Sequence, residues 1–182
     1  MVSQPSRGLS CLIVIGFMGT GKSSIARMAA NSFHWDLLRT DQKIEEKEKM
    51  GIADLFKTKG ESYFRDQESA VLTSLNLKKP TVIDTGGGIV LRPENAKLLK
   101  TLGIVLWFKA RPAVIVKRVG EGVSRPLLSA SGPLDAQVKK LLAEREPLYK
   151  SIADYAIDTS DLSENAVLDL IKLIGWKDRL LG

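Results

Sequence analysis

Cysteine and histidine are nearly missing: the 182 residues contain one of each. A lone cysteine rules out an internal disulfide and suits a reducing, cytoplasmic compartment. Cys11 sits in an apolar run, so it reads as a small buried hydrophobe rather than a reactive thiol. The sole histidine, His34, precedes Trp35 with no partner motif and reads as structural. No apolar stretch approaches the ~20 residues that a membrane helix requires. The first ten residues are polar and carry only Arg7, so neither a membrane anchor nor a signal peptide is expected. Basic residues form no tract of five, and no aromatic ladder accompanies them, which argues against a nucleic-acid groove. Internal repeats and low-complexity segments are also absent from the sequence.

The composition is that of one well-cored domain over residues 1–182, with 44% hydrophobic and 26% charged residues. The net charge of +6 suits a polyanionic partner, large or small. Arg65, Arg125 and Arg145 stand singly beside glycines, prolines or acids, a pattern that fits pockets for individual anions.

Residues 16–23 read Gly-Phe-Met-Gly-Thr-Gly-Lys-Ser, the G-x-x-x-x-G-K-S phosphate-binding loop. An apolar run precedes it and a helical pattern follows, which is the context that gives these letters a mechanism. Glycines let the loop curl until its N–H groups face phosphate oxygens, and the helix start adds further free N–H groups and partial positive charge. Gly19, Thr20, Gly21, Lys22, Ser23 and Ser24 are therefore the candidate ATP-binding residues, with Lys22 directed at the β- and γ-phosphates and the Ser23 hydroxyl at Mg²⁺.

Short apolar strands at 12–15, 35–38, 81–83, 104–108 and 155–157 alternate with helices at 22–31, 41–49, 53–59, 61–75, 93–102, 112–119, 134–149 and 163–174. This alternation predicts an α/β fold, a parallel sheet wrapped on both faces, with ligands outside the carboxyl ends of the strands. Ser163 reads as the cap of the final helix. The glycine-rich stretch from 119 to about 134, which holds Arg125, reads as a mobile lid.

Four more clusters should gather at those strand ends. Asp41 is placed either to accept a hydroxyl proton near the γ-phosphate or to cap the following helix. Arg65 can pair bidentately with a carboxylate, whether of a ligand or of the protein. Asp84 ends a strand as the acid of a Walker B motif does, and Gly86, Gly87 and Gly88 after it permit close approach of a substrate. Arg145 has two readings, a surface ion pair with Glu144 or Glu146, or a place facing the pocket; helical spacing does not choose.

Six runs, GFMGTGKS, Asp41-x-x-Ile44-Glu45, GESYFRDQE, TGGG, RPLL and AEREPLY, occur in the order and spacing of the shikimate kinases, and from Leu12 to Thr159 the chain resembles that family. The resemblance implies a three-layer P-loop fold of the nucleoside monophosphate kinase type, with a five-stranded parallel sheet, and an enzyme that is cytoplasmic and monomeric. It implies transfer of phosphate from ATP to the 3-hydroxyl of shikimate, on the route to chorismate and the aromatic amino acids. Asp41 would bind and activate the hydroxyl, and Arg65 and Arg145 would hold the carboxylate against Gly86, Gly87 and Gly88. Arg125 would descend with the lid onto ATP, and residues 39–68 would form the substrate-binding region. One position departs from the pattern: Arg39 stands where the family commonly has an Asp near the metal. The expectation is that Asp84, with Ser23, supports Mg²⁺, and that Arg39 pairs with Asp84 or turns outward. A kinase for a related cyclic polyol acid, a non-catalytic nucleotide-binding module and a nucleic-acid binder are the competing classes.

Overall fold

Cys11–Gly16 form the central strand, β1, and every residue in it is buried. Cys11, Ile13 and Ile15 pack into one hydrophobic cluster, and Leu12 and Val14 into another. Side chains alternate across a strand, so an uninterrupted apolar run is what a strand covered on both faces demands. A computed structural model describes residues 11–120 and 132–180. Around β1 lie β2 (Asp36–Arg39), β3 (Thr81–Asp84), β4 (Ile104–Lys109) and β5 (Tyr155–Asp158), in the order β2-β3-β1-β4-β5. All four ladders are parallel.

Helix α1 (Lys22–Phe33) packs with α7 (Glu164–Lys177) over the cluster that holds Leu12 and Val14. Helices α4 (Pro93–Leu102), α5 (Pro112–Gly120) and α6 (Leu134–Ile152) cover the opposite face. The chain thus leaves β1 toward one face and β3 toward the other, which parts the strand ends and opens the crevice expected of such sheets. Helices α2 (Thr40–Glu48) and α3 (Ile52–Thr73) flank it, joined by a small apolar cluster of Ile44, Leu55, Phe64 and Val71.

The three-layer reading stands, with small changes at element ends. Trp35 belongs to the turn after α1, where its N–H donates to Ala30 O at 2.9 Å and its ring meets Phe33 edge-on. The helices expected at 53–59 and 61–75 are the two segments of α3, parted as expected at Gly60, whose non-helical φ of 81° only glycine adopts at little cost. Ser163 does cap α7, its hydroxyl accepting from Ala166 N at 3.2 Å, and α7 continues through Gly175 to Lys177. Cys11 is buried, and burial pushes its thiol up to about 12, as suits an inert core residue. Arg125 and most of the expected lid fall in 121–131, outside the described residues. No helix among the described residues is long and apolar enough to cross a membrane.

Candidate active site

The phosphate loop is built by the abrupt change from β1 to α1. Gly21 caps the helix with φ 85°, so Lys22 and Ser23 lie in its first turn, where N–H groups lack helical partners. Thr20 Oγ1 and Lys22 Nζ both donate to Phe17 O at 2.8 Å, which holds the loop curled. The loop lines a cavity of about 410 Å³, to which Gly19, Thr20, Gly21, Lys22, Ser23 and Ser24 all contribute.

A second, smaller cavity of about 100 Å³ lies beside it and contains Arg65, Glu68, Gly88 and Arg145. Met18, Asp41, Gly86 and Gly87 line both. Asp41 therefore stands where the two meet. It does not cap α2, because the helix begins one residue earlier, with Arg39 at the cap position and no side-chain cap bond. Thr40 fixes it there: Thr40 Oγ1 accepts from Gly86 N at 3.1 Å, tying the start of α2 to the glycine turn. Asp41 Oδ1 is buried without a hydrogen-bond partner. Burial, then the nearby Asp84 carboxylate, raise its pKa above the ordinary range, while Lys22 opposes.

Arg65 is buried and engaged by the protein: Nη1 reaches Glu68 Oε2 and Nη2 reaches Glu61 Oε1, each at 2.7 Å. Its guanidinium lies so close to Gly88 that any Cβ there would overlap it. Arg145 is 3% exposed, so the surface ion pair is excluded; Glu144 and Glu146 point to solvent. Its guanidinium sits 5.6 Å from the Phe17 ring centre, and Nη1 is buried with no acceptor. One turn on, the Tyr149 hydroxyl donates to Gly87 O, and burial pushes Tyr149 up to about 12.

Asp84 lines neither cavity. It stands behind the glycine turn at the end of β3, where Arg39 Nε lies 3.4 Å from its Oδ2, and its Oδ1 is buried without a partner. No cluster of three or more His, Cys, Asp or Glu able to hold a metal occurs among the described residues.

Several residues were not singled out from the sequence. Glu68, fully buried, is the counter-ion of Arg65, three residues away on the same helix. Arg118 lines the larger cavity, donating to Gly19 O at 3.2 Å and Thr159 O at 2.9 Å, and Thr159 in turn reaches Thr20 O. Thr85 pins the glycine turn to β1 through Val14 O at 2.8 Å. The i, i+3 and i, i+4 spacings of Glu68 and Tyr149 from the two arginines were the available signals.

A family model described as shikimate kinase matches residues 18–174. The chain is similar to the shikimate kinase of Caldanaerobacter subterraneus subsp. tengcongensis, 38% identical over 169 residues, covering 90% of this chain and 98% of that one. It is also similar to that of Thermodesulfovibrio yellowstonii, 41% identical over 169 residues, covering 93% and 95%. Among solved structures, shikimate kinase from Acinetobacter baumannii in complex with shikimate superposes with a TM-score of 0.88, at 30% identity over 96% of this chain and 97% of that one.

Proposed function

This chain belongs to the shikimate kinase family, and from that premise we propose how its two joined cavities divide the ATP-dependent phosphorylation of the shikimate 3-hydroxyl, which yields shikimate 3-phosphate and ADP on the route to chorismate. The larger cavity takes ATP. The amides around Gly19–Ser24 hold its phosphates, and Lys22 exchanges the Phe17 carbonyl for the β- and γ-phosphate oxygens. Arg118 braces the loop from the nucleotide side. The smaller cavity takes shikimate. Arg145, with Nη1 buried and lacking an acceptor, and Arg65, shared with Glu61 and Glu68, receive the carboxylate. Gly86, Gly87 and Gly88 bring backbone against the ring.

Asp41 then faces the 3-hydroxyl. The hydroxyl oxygen attacks the γ-phosphorus, the bond to the β,γ-bridging oxygen breaks, and the proton passes to the Asp41 carboxylate. A pKa raised by burial makes Asp41 a better proton acceptor than an ordinary carboxylate. Positioning and neutralisation of charge carry most of such a reaction. In this reading the segment between α5 and α6 would serve as the lid, and Arg125 within it would add positive charge to the phosphates and exclude water. The donor set suits Mg²⁺, which keeps most of its waters and takes few protein ligands: Ser23, which lines the cavity, would offer its hydroxyl, and Asp84, whose Oδ1 is buried without a partner, would support the metal from behind the glycine turn. Bound there with ATP, the metal would supply charge neutralisation at the β- and γ-phosphates. The enzyme is read as a cytoplasmic monomer with no nucleic-acid partner.

The observation that carries this reading is that Asp41 lines both cavities, between a phosphate loop and two buried arginines. A coupled ADP-release assay tests it. Release dependent on shikimate and on Mg²⁺ supports the reading, and release indifferent to shikimate contradicts it.

A further inference from the structure

One oxygen from each of two carboxylates, Asp41 and Glu68, converges on the side of Gly86 that a side chain would fill. A Cβ placed on Gly86 would lie 2.6 Å from Asp41 Oδ1 and 2.7 Å from Glu68 Oε1, and both oxygens are buried without a hydrogen-bond partner. Glu68 has no exposed surface, and its other oxygen accepts from Arg65 Nη1 at 2.7 Å. The charged groups around it are Arg65 and Glu61 on its own helix, Asp41 on α2, and Arg145 beside Tyr149 on α6. Arg92, at the head of α4, is engaged by Asp66 and Ser69 instead.

Arrival of an acid substrate changes this balance in one direction. Its carboxylate adds a negative charge to a closed cluster and displaces water. It also claims part of Arg65, the cation that compensates Glu68. Each effect disfavours a second ionised carboxylate at the same place. We propose that Glu68 takes up one proton from solvent, on Oε1, when shikimate binds, so that the site exchanges a protein carboxylate for the substrate's. Protonated Oε1 then becomes a donor where the empty pocket had an orphan acceptor. Glu68 is thus a positioning residue that acts through Arg65, and the inference rests on the assignment of the smaller cavity to shikimate. In the free protein burial already lifts Glu68 to about 7, so the uptake falls within an accessible pH range.

Titration calorimetry of shikimate into the full chain, in phosphate and in Tris buffer, counts the protons, because the apparent binding enthalpy varies with the buffer's ionisation enthalpy in proportion to proton uptake. At pH 7.5 the wild type should take up roughly half a proton or more, and below pH 6 the uptake should fall toward zero because Glu68 is already neutral. Glu68→Gln should abolish the uptake at pH 7.5 while ADP binding, measured as a check on folding, is retained. If that variant fails to bind ADP, the wild-type pH profile decides alone. Shikimate binding with no uptake between pH 7 and 8, or full uptake persisting in Glu68→Gln, overturns the inference and leaves the kinase reading intact. Absence of any shikimate binding overturns both.

Discussion

Arg39 Nε lies 3.4 Å from Asp84 Oδ2, at paired positions of the adjacent parallel strands β2 and β3. A cation thus flanks the acid proposed above as an outer partner of Mg²⁺. The pair holds one oxygen of Asp84 and leaves Oδ1 buried and unpartnered. Asp84→Asn should raise the Mg²⁺ concentration needed for half-maximal activity roughly 10-fold, the size expected when an outer partner of a metal is lost. A Mg²⁺ titration at fixed ATP that matches the wild type would remove Asp84 from the metal's surroundings.

The two arginines should respond differently to truncation. Arg145 pairs with no carboxylate among the described residues, so Arg145→Ala should weaken shikimate binding by about 2 kcal/mol or more and leave the melting temperature and ADP affinity near wild type. Arg65→Ala removes the partner of fully buried Glu68. It should weaken shikimate binding and also lower the melting temperature by several degrees, since a lost buried partner costs on the order of 3 kcal/mol. Calorimetry and thermal melts on both variants separate the two cases.

Gly86 is a steric requirement of the junction. Gly86→Ala would press a methyl group between Asp41 Oδ1 and Glu68 Oε1, at 2.6 and 2.7 Å. Displacement of Asp41, the proposed proton acceptor, should lower kcat by roughly 10²-fold, with ADP binding retained because the phosphate loop is not touched. A kcat within a factor of about two of wild type would show that Asp41 tolerates the shift.

Glu68 also makes stability depend on pH. Its folded-state pKa, about 7, lies above the 4.5 of a solvent-exposed glutamate. Its favourable contribution is therefore complete below about 4.5 and lost as pH rises to about 7, after which it stays flat. The melting temperature of Glu68→Gln minus that of the wild type should become more positive between pH 5 and pH 7.5. A difference that does not change with pH would mean that Glu68 is ionised in the fold throughout that range.

What could be read from the sequence was what lies contiguous in it. Cys11–Gly16, the loop and α1 follow one another along the chain, so strand, phosphate loop and Lys22 were legible together. The choice for Asp41 between cap and acceptor was not, because it turns on a helix start displaced by one residue to Thr40. Arg145 shares its helix face with Val138 and Tyr149, both buried. That phase excludes the ion pair with Glu144 or Glu146 only once it is known which face of α6 meets the sheet. The pairing of Arg65 with Glu68 was hidden because Glu61, four residues away, had an equal claim by spacing; the structure gives Arg65 both.

The order β2-β3-β1-β4-β5 hangs the phosphate loop on the middle of the sheet, whereas the guanidinium groups proposed for the acid come from α3 and α6, outside the sheet. Changes on those helices can re-tailor the acceptor end without disturbing the scaffold that carries Lys22.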